Sequence, residues 1–170
     1  GFLYITGRIK ELLKTSNGKY VCPVPIEQLL TSTGIVDQAM VIADGRRYVT
    51  ALLFPNPDGM RRLKRQHNLE RMDDESFLSS PVMKTEMTNL LTKVNAGLDH
   101  WEQVQNWRFV MMAPSVEREE LTPTLKLRRH VIAAKYHDLI EQMYSDRPTG
   151  HGAAGDGAAQ PVDTGKGVHV

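Results

Sequence analysis

The sequence predicts an α+β fold: a small sheet of about three strands covered by helices and preceded by a short two-stranded hairpin. Residues 36–43 and 46–54 are rich in β-branched and apolar side chains and flank Asp44-Gly45, a dipeptide suited to a two-residue type I′ turn. Residues 106–112 alternate Trp107, Phe109 and Met111 against Arg108, Val110 and Met112, which offers a third strand. Met83, Met87, Leu90, Leu91, Val94, Leu98 and Trp101 recur at spacings of three and four, the stripe of a long amphipathic helix.

In chain order, residues 2–6 and 11–15 read as two short strands around Gly7-Arg8-Ile9-Lys10, and a Ser16-Asn17-Gly18 turn follows. Pro23-Val24-Pro25 interrupts regular structure, leaving residues 26–31 room for one or two helical turns. After the 36–54 hairpin comes a short helix over residues 60–67, then the long stripe and the third strand. Ile132, Tyr136, Leu139 and Met143 make a second helical stripe. There is no internal repeat, so residues 1–146 form one domain. Residues 147–170 are mostly Gly, Ala, Pro, Asp and Thr and hold six of the thirteen glycines, a composition that predicts a disordered tail.

A chain of 170 residues, 41% hydrophobic and 24% charged, supports one core and has no room for a second full domain. Its formal net charge of +1 gives no long-range attraction to nucleic acid, and none is expected as a partner. Cys22 stands alone, which excludes an internal disulfide framework and a multi-cysteine zinc site and fits a reducing, cytoplasmic setting. No apolar run approaches the roughly 18 residues of a membrane span, although peripheral membrane contact stays open. The chain begins inside a strand-like run with no initiator methionine, which predicts a piece of something longer.

Three places could carry chemistry. Leu121-Thr122-Pro123-Thr124-Leu125-Lys126-Leu127-Arg128-Arg129 leads into the last helical stripe, with Thr124, or Thr122 followed by Pro123, as the competing helix starts. Either choice puts Lys126 near a helix N-terminus, where a cation is slightly unfavourable, so its position invites a reason beyond helix stability; a solvated lysine on an exposed turn is the bland alternative. Arg8, in Gly7-Arg8-Ile9-Lys10-Glu11, could offer its fork of donors to a sugar or phosphate, or simply join a surface ion network. Gly18, in Ser16-Asn17-Gly18-Lys19-Tyr20, permits positive φ and lets another molecule approach the backbone, though a hairpin turn needs the same freedom.

In this order the segments resemble the C-terminal domain of the adenylate-forming (AMP-binding) superfamily, most of all that of long-chain fatty-acyl-CoA synthetases. Phe2 through Glu11 is similar to the family's interdomain hinge, Thr15 through Glu27 to its glycine loop and following helix, and Leu121 through Arg129 to its terminal lysine motif. The resemblance implies that Lys126 is catalytic, bridging carboxylate and α-phosphate while ATP and acid become acyl-adenylate and pyrophosphate. It implies that Arg8 contacts the nucleotide ribose, that Lys10 is the hinge, and that Gly18 lines the pantetheine passage after a large domain rotation. Glu27 matches a glutamate read as structural. ATP, CoA and fatty acid are then substrates of the whole enzyme, Mg2+ accompanies ATP without being held here, and an N-terminal adenylation domain of the same polypeptide is the partner.

The resemblance also implies that the isolated chain is inactive, since the nucleotide-binding signature and the ribose aspartate lie upstream in the family. Ser16-Asn17-Gly18-Lys19 departs from the two small residues usual before the loop's charged position. The alternatives are loading of a carrier protein, a non-catalytic interaction domain of the same fold, and a small nucleic-acid-binding α+β domain that would rely on the Arg61 to Arg65 cluster. The basic run Arg61-Arg62-Leu63-Lys64-Arg65-Gln66-His67 reads as a solvated helical face before a phosphate site. His130 and His137 lack further donors at ligand spacing, so no metal is expected in this domain.

Overall fold

The computed structural model describes residues 11–146. β1 (Leu13–Lys14) pairs antiparallel with β2 (Tyr20–Val21), Leu13 opposite Val21 and Lys14 opposite Tyr20. This two-stranded hairpin closes across the Gly18 turn. The strand expected at residues 2–6, with Arg8 and Lys10, lies outside the described residues.

α1 (Pro23–Thr31) contains the prolines that the sequence treats as blocking. Both sit in the first turn, where a backbone N–H has no intrahelical acceptor and its loss costs nothing. β3 (Val36–Ile42), β4 (Val49–Pro55) and β5 (Val104–Phe109) form the main sheet in the order β3-β4-β5, antiparallel then parallel. β5 begins two residues before the expected strand, and Val110 extends it by donating its N–H to Leu53 O at 2.8 Å.

A two-residue turn would set Ala43 opposite Arg46, but Ile42 faces Thr50. Arg46 N–H does donate to Ala43 O at 2.9 Å, and only Gly45 of the central pair has positive φ, 66°, which fits type II rather than I′. The next residues leave the ladder because other partners hold them. Arg46 pairs with Glu141 and lies 4.7 Å over the Tyr144 ring, and the Tyr48 hydroxyl donates to Met143 O at 3.2 Å. Burial pushes the Tyr144 hydroxyl up to about 12.

The remaining helices are α2 (Pro57–Gln66), α3 (Asp74–Leu78), α4 (Pro81–Ala96), α5 (Arg129–Lys135) and α6 (His137–Ser145). Asn56 and Ser80 accept backbone N–H bonds at the starts of α2 and α4, each followed by proline. α4 stops at Gly97, so Leu98 lies beyond it and Trp101 falls in a separate 3-10 turn, His100–Glu102. α3 has no counterpart in the sequence reading. The last stripe is two helices, broken at Tyr136.

Every residue of β4 is buried. Val49, Ala51 and Leu53 join a core with α1, α2, α3 and α4, whereas Leu52 and Phe54 join a second core with α5 and α6. Gly59 in α2 lets the two backbones meet, since a Cβ there would stand 1.9 Å from Gly34 O and 3.2 Å from Ile35 Cα. Gly59→Ala should lower the unfolding free energy by about 3 kcal/mol, because neither backbone can step aside. Gly97→Ala, whose Cβ meets nothing nearer than 4.0 Å among the described residues, should change it by less than about 0.5 kcal/mol. Urea titrations of both variants decide the matter, and equal effects would remove the close approach from the account.

Candidate functional site

Gly18 lies at φ 78° in the tight turn between β1 and β2. Thr15 roots that turn: it is 5% exposed, its N–H donates to Lys19 O at 2.9 Å, its carbonyl accepts from Gly18 N at 3.0 Å, and its Oγ1 accepts from Lys19 N at 3.1 Å. Ser16 N–H donates to Arg46 O and Gly45 N–H to Lys14 O, at 2.9 and 2.8 Å, so the β3–β4 loop braces the hairpin. Among the described residues nothing stands within 4 Å of a Cβ built on Gly18, which leaves the backbone there open to a visitor. The Lys19 ammonium sits 4.8 Å over the ring of Trp101.

Lys126 is not at a helix start. α5 begins at Arg129, and Lys126 lies in a loop closed by a bridge between Leu121 and Leu127. The threonines bond within the loop instead of capping a helix, so the helix-dipole argument does not apply. Thr122 N–H donates to Lys126 O at 2.8 Å, Thr122 Oγ1 accepts from Lys126 N at 3.1 Å, and Leu125 N–H donates to Thr122 O at 2.8 Å. Leu125 takes φ 62° and is 64% exposed. The Lys126 side chain is exposed and forms no ion pair among the described residues.

Below this loop is a carboxylate that the sequence reading missed. Glu120 is 1% exposed, with Oε1 2.5 Å from Lys135 Nζ on α5 and Oε2 2.9 Å from Arg118 Nε, and it also accepts the Ser115 N–H at 3.1 Å. Its backbone carbonyl accepts Arg128 N–H at 2.8 Å. Burial alone would raise its pKa, but the Lys135 hydrogen bond, the Ser115 N–H and the two cations outweigh burial and hold the carboxyl below its ordinary value. The same bond raises Lys135. Within Glu117-Arg118-Glu119-Glu120 the residue looks like part of a solvated charge run, and no periodicity marks it as buried.

A second ion pair joins the helices that follow the two loops. Arg129 donates to Glu27 Oε2 at 2.6 Å and to Val41 O at 3.3 Å, and Val41 N–H donates to Glu27 Oε1 at 2.8 Å. Glu27 and Arg129 thus satisfy the outer backbone groups of β3 while tying α1 to α5. A concavity of about 290 Å³ lies beside them, lined by Met40, Ile42, Arg46, Arg129, His130 and His137 among others.

Other sequence candidates separate. Lys64, inside the basic run, is 7% exposed and pairs with Asp74 and the Met72 carbonyl, both at 2.6 Å, while Arg61 pairs with Asp58. His130 and His137 both border the concavity, and no group of three potential metal-holding His, Cys, Asp or Glu side chains occurs among the described residues. Burial raises the Cys22 thiol, away from the thiolate. No helix among the described residues is long and apolar enough to cross a membrane.

A family model described as the AMP-binding enzyme C-terminal domain matches residues 10–148. FadD15 of Mycobacterium tuberculosis, a long-chain-fatty-acid–CoA ligase, is 30% identical over 146 residues, 85% of this chain and 24% of its own length. The long-chain-fatty-acid–CoA ligase ACSBG2 of Mus musculus is 32% identical over 161 residues, covering 84% of this chain and 24% of the relative. The chain therefore spans about a quarter of these relatives. The adenylation domain of a carboxylate reductase from Mycobacterium chelonae superposes with a TM-score of 0.64 at 23% identity, over 82% of this chain and 20% of that one, a likeness of fold.

A carboxyl whose pKa is lowered by folding stabilises the fold above its unfolded value of about 4.3, and that contribution disappears as pH falls through the lowered value. Glu120→Gln should therefore cost about 1–3 kcal/mol at pH 7 and make the loss of stability on acidification shallower. Urea midpoints at neutral pH and near pH 3 test this. A variant as acid-sensitive as the parent would refute it.

Proposed function

This chain belongs to the AMP-binding enzyme C-terminal domain family, and from that premise we propose that it is the C-terminal domain of a long-chain fatty acid–CoA ligase. The observation that carries the reading is Lys126, whose backbone is ordered by its own loop while its ammonium has no partner among the described residues. The ligase relatives at about 30% identity support the substrate class.

In this reading an N-terminal domain of the same polypeptide holds ATP, its Mg2+ and the fatty acid. The carboxylate attacks the α-phosphorus, the bond to the β-phosphate's bridging oxygen breaks, and pyrophosphate leaves. Negative charge on the phosphorus oxygens rises along the way, and the Lys126 ammonium lowers that barrier electrostatically. Arg8 contacts the ribose, and the domain then turns about Lys10 as a hinge. The Gly18 turn comes to the pantetheine passage, where the CoA thiolate attacks the acyl carbon and AMP departs. The open space at Gly18 and the bonds that fix its turn support this second role. Cys22 as the only cysteine supports a cytoplasmic setting.

Lys126→Ala in the full-length polypeptide should lower fatty-acid-dependent pyrophosphate exchange by on the order of 10²-fold or more. Undiminished exchange would sink the assignment. Gly18→Val should leave exchange intact and slow acyl transfer to CoA about tenfold, through strain at positive φ and lost space. Parent enzyme that passes its acyl group to a carrier protein but not to free CoA would shift the reading to carrier loading.

A further inference from the structure

We propose that Glu120 is the positioning residue for Lys126: its buried carboxylate fixes the base of the loop from which the ammonium is presented, and so governs adenylation without touching substrate. This rests on the reading of Lys126 above.

The loop has two roots, and Glu120 holds both. Its backbone carbonyl takes the Arg128 N–H at 2.8 Å and its own N–H donates to Ser115 O at 3.0 Å, so the segment entering the loop and the residue leaving it are joined at this position. The Leu121–Leu127 bridge stands directly above, with Lys126 one residue from it. The side chain then fastens these roots to the sheet, because Lys135 lies on α5, whose Ile132 is fully buried against Leu52 and Phe54. Arg118 and the Ser115 N–H secure the other flank.

The chemistry of the anchor argues for orientation over bulk stability. A carboxylate 1% exposed beneath a surface loop carries a desolvation cost that an apolar residue of similar size would avoid. What the charged anchor adds is direction: three donors converge on two oxygens, so the loop base has one arrangement instead of several greasy ones. An electrostatic contact to a transition state needs that definition, since a misplacement of about 1 Å can cost on the order of 10²-fold. Lys135 and Lys126 divide the work, one paired with the buried carboxylate and the other left available to substrate.

The test uses full-length enzyme with the two half-reactions measured separately. Glu120→Gln should reduce kcat for pyrophosphate exchange about tenfold or more, with KM for ATP and fatty acid within about twofold, while transfer from supplied acyl-adenylate to CoA keeps the parent rate. Lys135→Met retains the Ser115 and Arg118 bonds to Glu120, should act in the same direction more weakly, and decides the question if Glu120→Gln fails to fold. Glu120→Gln combined with Lys126→Ala should exchange no more slowly than Lys126→Ala alone, because the anchor acts only through the lysine. Parent-like exchange in the folded anchor variants, equal losses in both half-reactions, or multiplied losses in the double variant would each overturn the inference while leaving Lys126 in place. If Lys126→Ala itself exchanged normally, the underlying reading would fall, and this one with it.

Discussion

Burial of β4 on both faces is the constraint from which the rest follows. A central strand with apolar side chains on each side needs cover above and below, and this chain supplies it from different stretches of sequence. Helices α1 to α4 come between or beside the strands and take one face, while α5 and α6 arrive last and take the other. The parallel pairing of β5 follows, because the long segment through α2, α3 and α4 carries the chain back to the end of the sheet from which β4 set out. Asn95 seals that return, its amide exchanging two hydrogen bonds with the backbone of Val104 at 3.0 and 2.9 Å.

Covering the sheet in this way settles where the two candidate loops attach. The Gly18 turn runs into α1 on one face, and the Lys126 loop runs into α5 on the other. β3 lies at an edge of the sheet, where unpaired backbone groups would ordinarily meet water or another chain. The Glu27–Arg129 pair occupies Val41 there and fastens α1 to α5 around the edge. Glu27, which the resemblance marks as structural, thus has a definable task. Under the proposed reading two loops with separate half-reactions share one rigid frame, so a turn of the whole domain exchanges them without internal rearrangement.

Much of the fold was legible because its signals are local and periodic. The chain reversal at Asp44-Gly45, though not its turn type, the alternation around Trp107 and the stripe from Met83 to Val94 are each readable within a few residues. At the hairpin, partners distant in sequence overrode the local preference. Arg46 and Tyr48 left the hairpin ladder for Glu141 and Met143, a separation of 95 residues in both cases. Leu98 and Trp101 continue the apolar stripe after Gly97 has ended the helix, so spacing alone could not find the boundary. For the candidate site, the residue types at Gly18 and Lys126 were readable, but their mounting was not. Pro123 and the flanking threonines carry the same letters whether they cap a helix or close a loop on themselves.

Under the proposed reading, the contrast between Lys126 and Lys135 puts the mounting before the motif. Lys135 is bonded to a carboxylate, its charge is satisfied within the chain, and it is spent on holding the loop. Lys126, nine positions earlier, contributes its backbone N–H and carbonyl to the same loop while its ammonium has no ion-pair partner among the described residues. A side chain without an internal partner is kept in place only by what its neighbours do to the backbone. The ordering entropy of that backbone is met by folding, so under the proposed reading it need not be met again when a substrate arrives. What remains to be fixed on binding is the rotamer freedom of one lysine, at most about 2 kcal/mol, which a single charge-assisted contact of about 1.5–3 kcal/mol can offset.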